Sequence, residues 1–157
     1  MAVLQTNKVL SFGDLVTAVG TTQLYPLGCK REQDGKTYRY VKQNDATVTV
    51  VAGNVALSVD PTATDGQWVV ACDVSDSDAA LAVGIYMGVI ANAGFGWIQT
   101  KGRHSAVKKP ATAWVKGDAL FAGFSSTADG KVFKLTDQIT GTIASAITRA
   151  KLQRCLE

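Results

Sequence analysis

The stretch from Ala79 to Thr100, AALAVGIYMGVIANAGFGWIQT, holds 22 residues without a charged side chain. A segment of that length must be removed from water over most of its surface, and two structures achieve this. One is a membrane-spanning helix, which needs about 20 consecutive apolar residues. The other is a pair of strands covered on both faces. Gly84, Gly88, Gly94 and Gly96 interrupt the run, and Asn92 sits inside it. Each glycine weakens a helix by about 1 kcal/mol relative to alanine. Ala91-Asn92-Ala93-Gly94 is turn chemistry. The run therefore reads as two buried strands around that turn, and no membrane partner is expected.

The same alternation of short strands and turns extends along the chain. Gln33-Asp34-Gly35-Lys36 is a hairpin signal between strands expected at 24–31 and 36–43, the second with Tyr38 and Tyr40 on one face. Further strands are expected at 47–51, 55–59 and from residue 67, where Trp68, Val70, Cys72 and Val74 share a face and Trp68 reads as core. After the uncharged pair, short strands are expected at 105–109, 119–124 and 131–135 around another Asp-Gly turn at Asp129-Gly130. The tail at 139–157 suits a short helix or a closing strand. The composition agrees: 18 Val, 16 Thr and 15 Gly, with charged residues at 18% against about 25% in an average soluble chain. A length of 157 residues suits one domain. The expected fold is all-β, a sandwich, jelly roll or barrel, with no βαβ alternation.

Residues 1–20 stand apart. Val3, Leu4, Val9, Leu10, Phe12, Leu15, Val16 and Val19 are apolar without a period of 2 or 3.6, which suits an arm packed on its own domain or on a partner. The division is thus an arm at 1–20 and a β-rich domain at 21–157. The start of the chain lacks a basic, apolar leader, so a reducing cytoplasm is expected, with Cys29, Cys72 and Cys155 as thiols.

Chemistry-bearing sets are sparse. His104 is the single histidine, and it lies in a polar turn where backbone hydrogen bonding or solvent is its expected partner. It has no Ser elbow beside it and no zinc-ligand spacing to the three cysteines. Gly94-Phe-Gly96-Trp-Ile-Gln99 departs from a dinucleotide fingerprint at its sixth position and reads as a turn that places Phe95 and Trp97. Asp73, Asp76 and Asp78 gather carboxylates, but the Gly and Glu of a calcium loop do not follow. No enzyme activity, cofactor or metal is expected. Charge is split along the chain: residues 1–78 hold six basic and nine acidic side chains, residues 79–157 ten basic and four acidic. Such asymmetry suits a charged protein partner. The basic residues are scattered, so nucleic acid is not expected.

Several short motifs follow one another in a particular order. Leu27-Gly-Cys-Lys-Arg-Glu-Gln-Asp-Gly-Lys-Thr-Tyr38-Arg-Tyr40 comes first, then Gly94-Phe-Gly-Trp97-Ile-Gln-Thr-Lys-Gly102. Gly117-Asp118-Ala-Leu, Ser126-Thr-Ala-Asp-Gly130 and Ile139-Thr-Gly141 complete the series. Over residues 21–157 this order resembles the head decoration, or cement, proteins of tailed bacteriophages. The resemblance implies a jelly-roll-like or β-tulip domain, often a homotrimer. Such a protein sits on the capsid exterior of the virion, assembled in the bacterial host cytoplasm, and clamps neighbouring major capsid proteins. The longer segment 1–20 departs from the family pattern. Candidate interface residues are Val3, Leu4, Val9, Leu10 and Phe12 in the arm, and Phe95, Trp97, Trp114 and Phe124 near turns. The other readings are a tail or fibre module, a sugar-binding β-sandwich, or a small Asp-based enzyme.

Overall fold

The structure, a computed structural model, describes residues 13–44, 49–59, 66–72, 81–109, 114–115, 118, 120–122 and 130–134. These residues form eight strands: β1 (Lys30–Gln33), β2 (Lys36–Gln43), β3 (Val55–Ser58), β4 (Val69–Ala71), β5 (Leu81–Tyr86), β6 (Phe95–Lys101), β7 (Leu120–Ala122) and β8 (Val132–Lys134). A single 3-10 turn, Gly66–Trp68, precedes β4 among them. Of the architectures open from sequence, the chain forms a barrel. The hydrogen-bonded order β2-β4-β3-β5-β6 closes on itself through β2–β6, and β1 is an extra strand on β2. All of these neighbours are antiparallel except β2 and β4.

β2 makes closure possible by its length. Along one edge it pairs with β6 from Thr37↔Lys101 to Lys42↔Phe95. Along the other, its first half pairs with β1 and its last two residues with β4. The β1–β2 turn is the hairpin expected from Asp34-Gly35, with φ of 53° and 72°, the positive values that a two-residue type I′ turn needs at both positions. Residues 24–29, expected as strand, are a looped approach to β1, because the chain turns at Gly28 with φ 76°. Gly66 opens the 3-10 turn that leads into β4, which pairs antiparallel with β3. The uncharged run forms the antiparallel pair β5–β6, as expected. No helix among the described residues is long and apolar enough to cross a membrane.

The core has three parts. Val41, Ala56, Val70, Tyr86 and Ile98 come one from each of the five barrel strands and cluster with Val50, Cys72 and Ile90. This shared face is the barrel interior. Residues one step along point outward and are buried too. Tyr38, Tyr40, Phe95 and Trp97 form an outer aromatic cluster, against which Val16, Tyr25, Leu27, Cys29 and Met87 pack. Val55, Leu57, Ala82 and Val132 form a second, joined by Ile85, Val107, Trp114 and Leu120. Strands covered on both faces have no position for a charge, which accounts for the uncharged run.

Residues 13–20 are a strap over the aromatic cluster. Gly20 and Phe95 exchange backbone hydrogen bonds at 3.0 and 2.8 Å, and Val16 packs on the rings. The Tyr25 hydroxyl donates to the Asp14 carboxylate at 2.9 Å, and the Arg31 guanidinium donates to the Asp14 carbonyl. At the other end of the barrel, Gly130 donates to the Cys72 carbonyl and accepts from Val55, and Val132 donates to Lys108. These bonds tie the β7–β8 hairpin to the wall.

Candidate interaction surface

Six large apolar side chains are exposed among the described residues, and four of them lie on or beside the strap. Leu15 is 74% exposed, Leu24 64%, Val89 57% and Val19 49%. The fold ties the backbone beside several of them to the barrel. Leu24 donates its backbone N–H to the Tyr40 hydroxyl at 3.2 Å, and Leu15 follows Asp14, which Tyr25 and Arg31 grip. Val19 lies against the backbone of Gly88, next to Val89. Beneath them Tyr40 packs edge-on to Tyr25 and Trp97, with centroids 5.2 and 5.1 Å apart. Each such pair contributes about 0.5–1.5 kcal/mol beyond its buried area. Desolvation and the Asp14 carboxylate both raise the Tyr25 pKa, the hydrogen bond to Asp14 most of all.

A second concave feature lies where the cover of the other outer cluster meets β6. It is a groove of about 200 Å³ walled by Ala82, Ile85, Val107, Trp114, Leu120 and Val132, with Gln99, Lys101 and His104 along its polar side. The remaining exposed apolar side chains, Leu81 and Val115, adjoin its lining residues Ala82 and Trp114 in sequence. Burial, with Lys36 nearby, pushes the His104 pKa below its ordinary value, and the Ala106 N–H donates to Nδ1 at 3.2 Å. That is the backbone partner expected for this residue.

The sequence-nominated contact residues divide three ways. Phe95 and Trp97 are 9% and 1% exposed. Both lie in the outer aromatic cluster of this chain, because β6 is paired on both edges and the strap lies across its outer face. Trp114 is half-buried at the groove, its ring capped by the Lys109 ammonium at 5.5 Å. Val3, Leu4, Val9, Leu10, Phe12 and Phe124 lie outside the described residues, as do Asp73, Asp76 and Asp78. No group of three metal-ligating side chains converges among the described residues. Cys29 is a free thiol, and burial raises its pKa. Trp68, expected in the core, packs half-buried against it beneath the Arg39 guanidinium at 5.2 Å.

Leu24, Val89 and Gln99 were not singled out from sequence. Leu24 and Val89 carry no sequence signal, since exposed and buried apolar residues look alike in a strand-rich chain. Gln99 had one: it is the only side chain with hydrogen-bonding amide chemistry within the strand that follows the Ala91–Gly94 turn. No protein-family model, curated protein or solved structure matches the chain.

Proposed function

We propose that this chain is a virion structural protein that binds the outer surface of a phage capsid and cements neighbouring major capsid proteins. The reading begins with the ordered motifs from Leu27 to Gly141 and their resemblance to head decoration proteins. The observation that carries it is the exposure of Leu15 and Val19 on a strap bonded to a closed barrel, with Leu24 and Val89 exposed outside the strap. A segment whose backbone is anchored before binding loses less conformational entropy on contact than a free one, so more of its apolar burial goes into affinity. A cement protein needs this and no reaction chemistry. Because it binds the assembled lattice and not free subunits, it stabilises the shell by mass action.

Purified protein mixed with heads that lack it should co-sediment at stoichiometric copy number. Leu15→Glu combined with Leu24→Glu should weaken that binding by tenfold or more, about 1.4 kcal/mol, with unchanged thermal stability. Wild-type protein that stays in the supernatant, or a double variant that binds as tightly, would refute the proposal.

A further inference from the structure

Two buried side-chain atoms at the groove have no hydrogen-bond partner: the Gln99 Oε1 and the Trp114 Nε1. Gln99 is 4% exposed. Its amide orientation is fixed, because Nε2 donates to the carbonyls of Lys101 at 3.2 Å and Gly102 at 2.8 Å. Turning the amide over would set an oxygen against two carbonyl oxygens, so Oε1 must be the unpaired acceptor. An indole nitrogen only donates. Leaving such groups buried and unpaired costs about 1–3 kcal/mol each. The groove therefore holds one unpaired donor and one unpaired acceptor among apolar walls.

A peptide unit offers the matching pair, one carbonyl and one N–H. The barrel wall also parts at this place. The β5–β6 ladder consists of Ile85↔Gln99 and Tyr86↔Ile98, while β6 continues along β2 as far as Lys101. A volume of about 200 Å³ lies below the roughly 300–1,000 Å³ of typical small-molecule sites. It is nearer the roughly 150 Å³ that holds one benzene ring. That is room for one apolar side chain. The segment 101–109, from which Lys101, Gly102, His104 and Val107 line the groove, carries exposed Lys101, Arg103, Lys108 and Lys109, none with an ion-pair partner among the described residues.

We propose that this groove is a docking cleft for an extended polypeptide segment of a partner protein. The segment places one apolar side chain between Trp114 and Val132, sets a peptide unit against Gln99 and Trp114, and carries carboxylates that meet Lys101 and Lys108. The inference is independent of the capsid reading, since the strap carries that one. Nucleic acid and sugars bind such proteins by stacking on open aromatic faces. Here Trp97 is in the core, Arg39 covers Trp68 and Lys109 covers Trp114.

The test is a titration of the full chain with a blocked seven-residue peptide, Val-Leu-Val flanked on each side by two glutamates. The three tryptophan indole N–H resonances report the site directly. Binding should move the Trp114 resonance downfield and leave those of Trp68 and Trp97 in place. Trp114→Phe should weaken binding of labelled peptide by about fivefold or more, as loss of one hydrogen bond implies. Lys101→Glu with Lys108→Glu, on exposed positions that leave folding intact, should weaken it by at least as much. Three results would each overturn the proposal. One is no shift at millimolar peptide, which leaves water as the groove's occupant. Another is equal binding of the peptide with lysines in place of glutamates. The third is an oligothymidylate that moves the Trp114 resonance as the acidic peptide does.

Discussion

Gly28 and Gly35 share a positive φ, 76° and 72°, but differ in what surrounds them. A Cβ on Gly35 meets nothing within 4 Å, whereas one on Gly28 falls 2.3 Å from the Trp68 Nε1. Arg39 lies over the Trp68 ring while donating to the Gly28 carbonyl at 2.7 Å, so moving the ring also disturbs that contact. Gly35→Ala should therefore cost about 1 kcal/mol in urea unfolding, from backbone strain alone. Gly28→Ala should cost about 3 kcal/mol, strain plus overpacking. Equal losses would contradict the latch between this turn and Trp68. His104 makes a separate prediction. The unfolded chain protonates its imidazole near 6.5, the folded chain only at lower pH, because burial opposes the charge. Between those values the folded state binds fewer protons, so stability falls as pH drops below about 6.5 and levels off once the folded imidazole titrates. As the single histidine, it is the one side chain whose ordinary pKa lies in that window. His104→Gln should flatten the pH 5–6.5 slope of the unfolding free energy; an unchanged slope would rule this out.

Among the elements, the strap has the most testable role. Removing residues 13–20 takes away Val16, the Asp14 anchor and both Gly20–Phe95 backbone bonds from the aromatic cluster. A chain lacking residues 1–20 should be about 2 kcal/mol or more less stable than one lacking residues 1–12, measured by chemical denaturation. Equal stability of the two truncations would mean that the strap is not part of the fold. The strands were legible in sequence where both local signals agreed. β2 was, because Asp34-Gly35 fixed its start and Tyr38/Tyr40 alternation its faces. The β5–β6 pair was, because the uncharged run has a turn at its middle. Residues 24–29 were not, since their apolar content reads as strand while Gly28 breaks the ladder. Val50 is buried in the barrel interior although it is not in a strand. Burial without pairing leaves no periodic trace.

At the scale of the molecule, barrel closure rests on β2 pairing with β6 and, in parallel, with β4, contacts between residues distant in sequence. Nothing local encodes such pairings, so sequence led to a β-domain and left sandwich and barrel undecided. The scarcity of charge had a cause that only the fold supplies. The barrel strands are covered inside by the interior cluster and outside by the strap and by Val107, Trp114, Leu120 and Val132. The same double cover explains why Phe95 and Trp97 lie in the outer aromatic cluster. Of the contact surface, the apolar character of the N-terminal region was legible, but which side chains face outward was not. The proposal that the chain binds a capsid from outside can be checked by electron microscopy of purified phage particles with and without the protein. It predicts extra density of barrel size on the capsid exterior, at stoichiometric copy number, bridging neighbouring major capsid proteins. Identical capsid surfaces in the two preparations, or density confined to the tail, would contradict it.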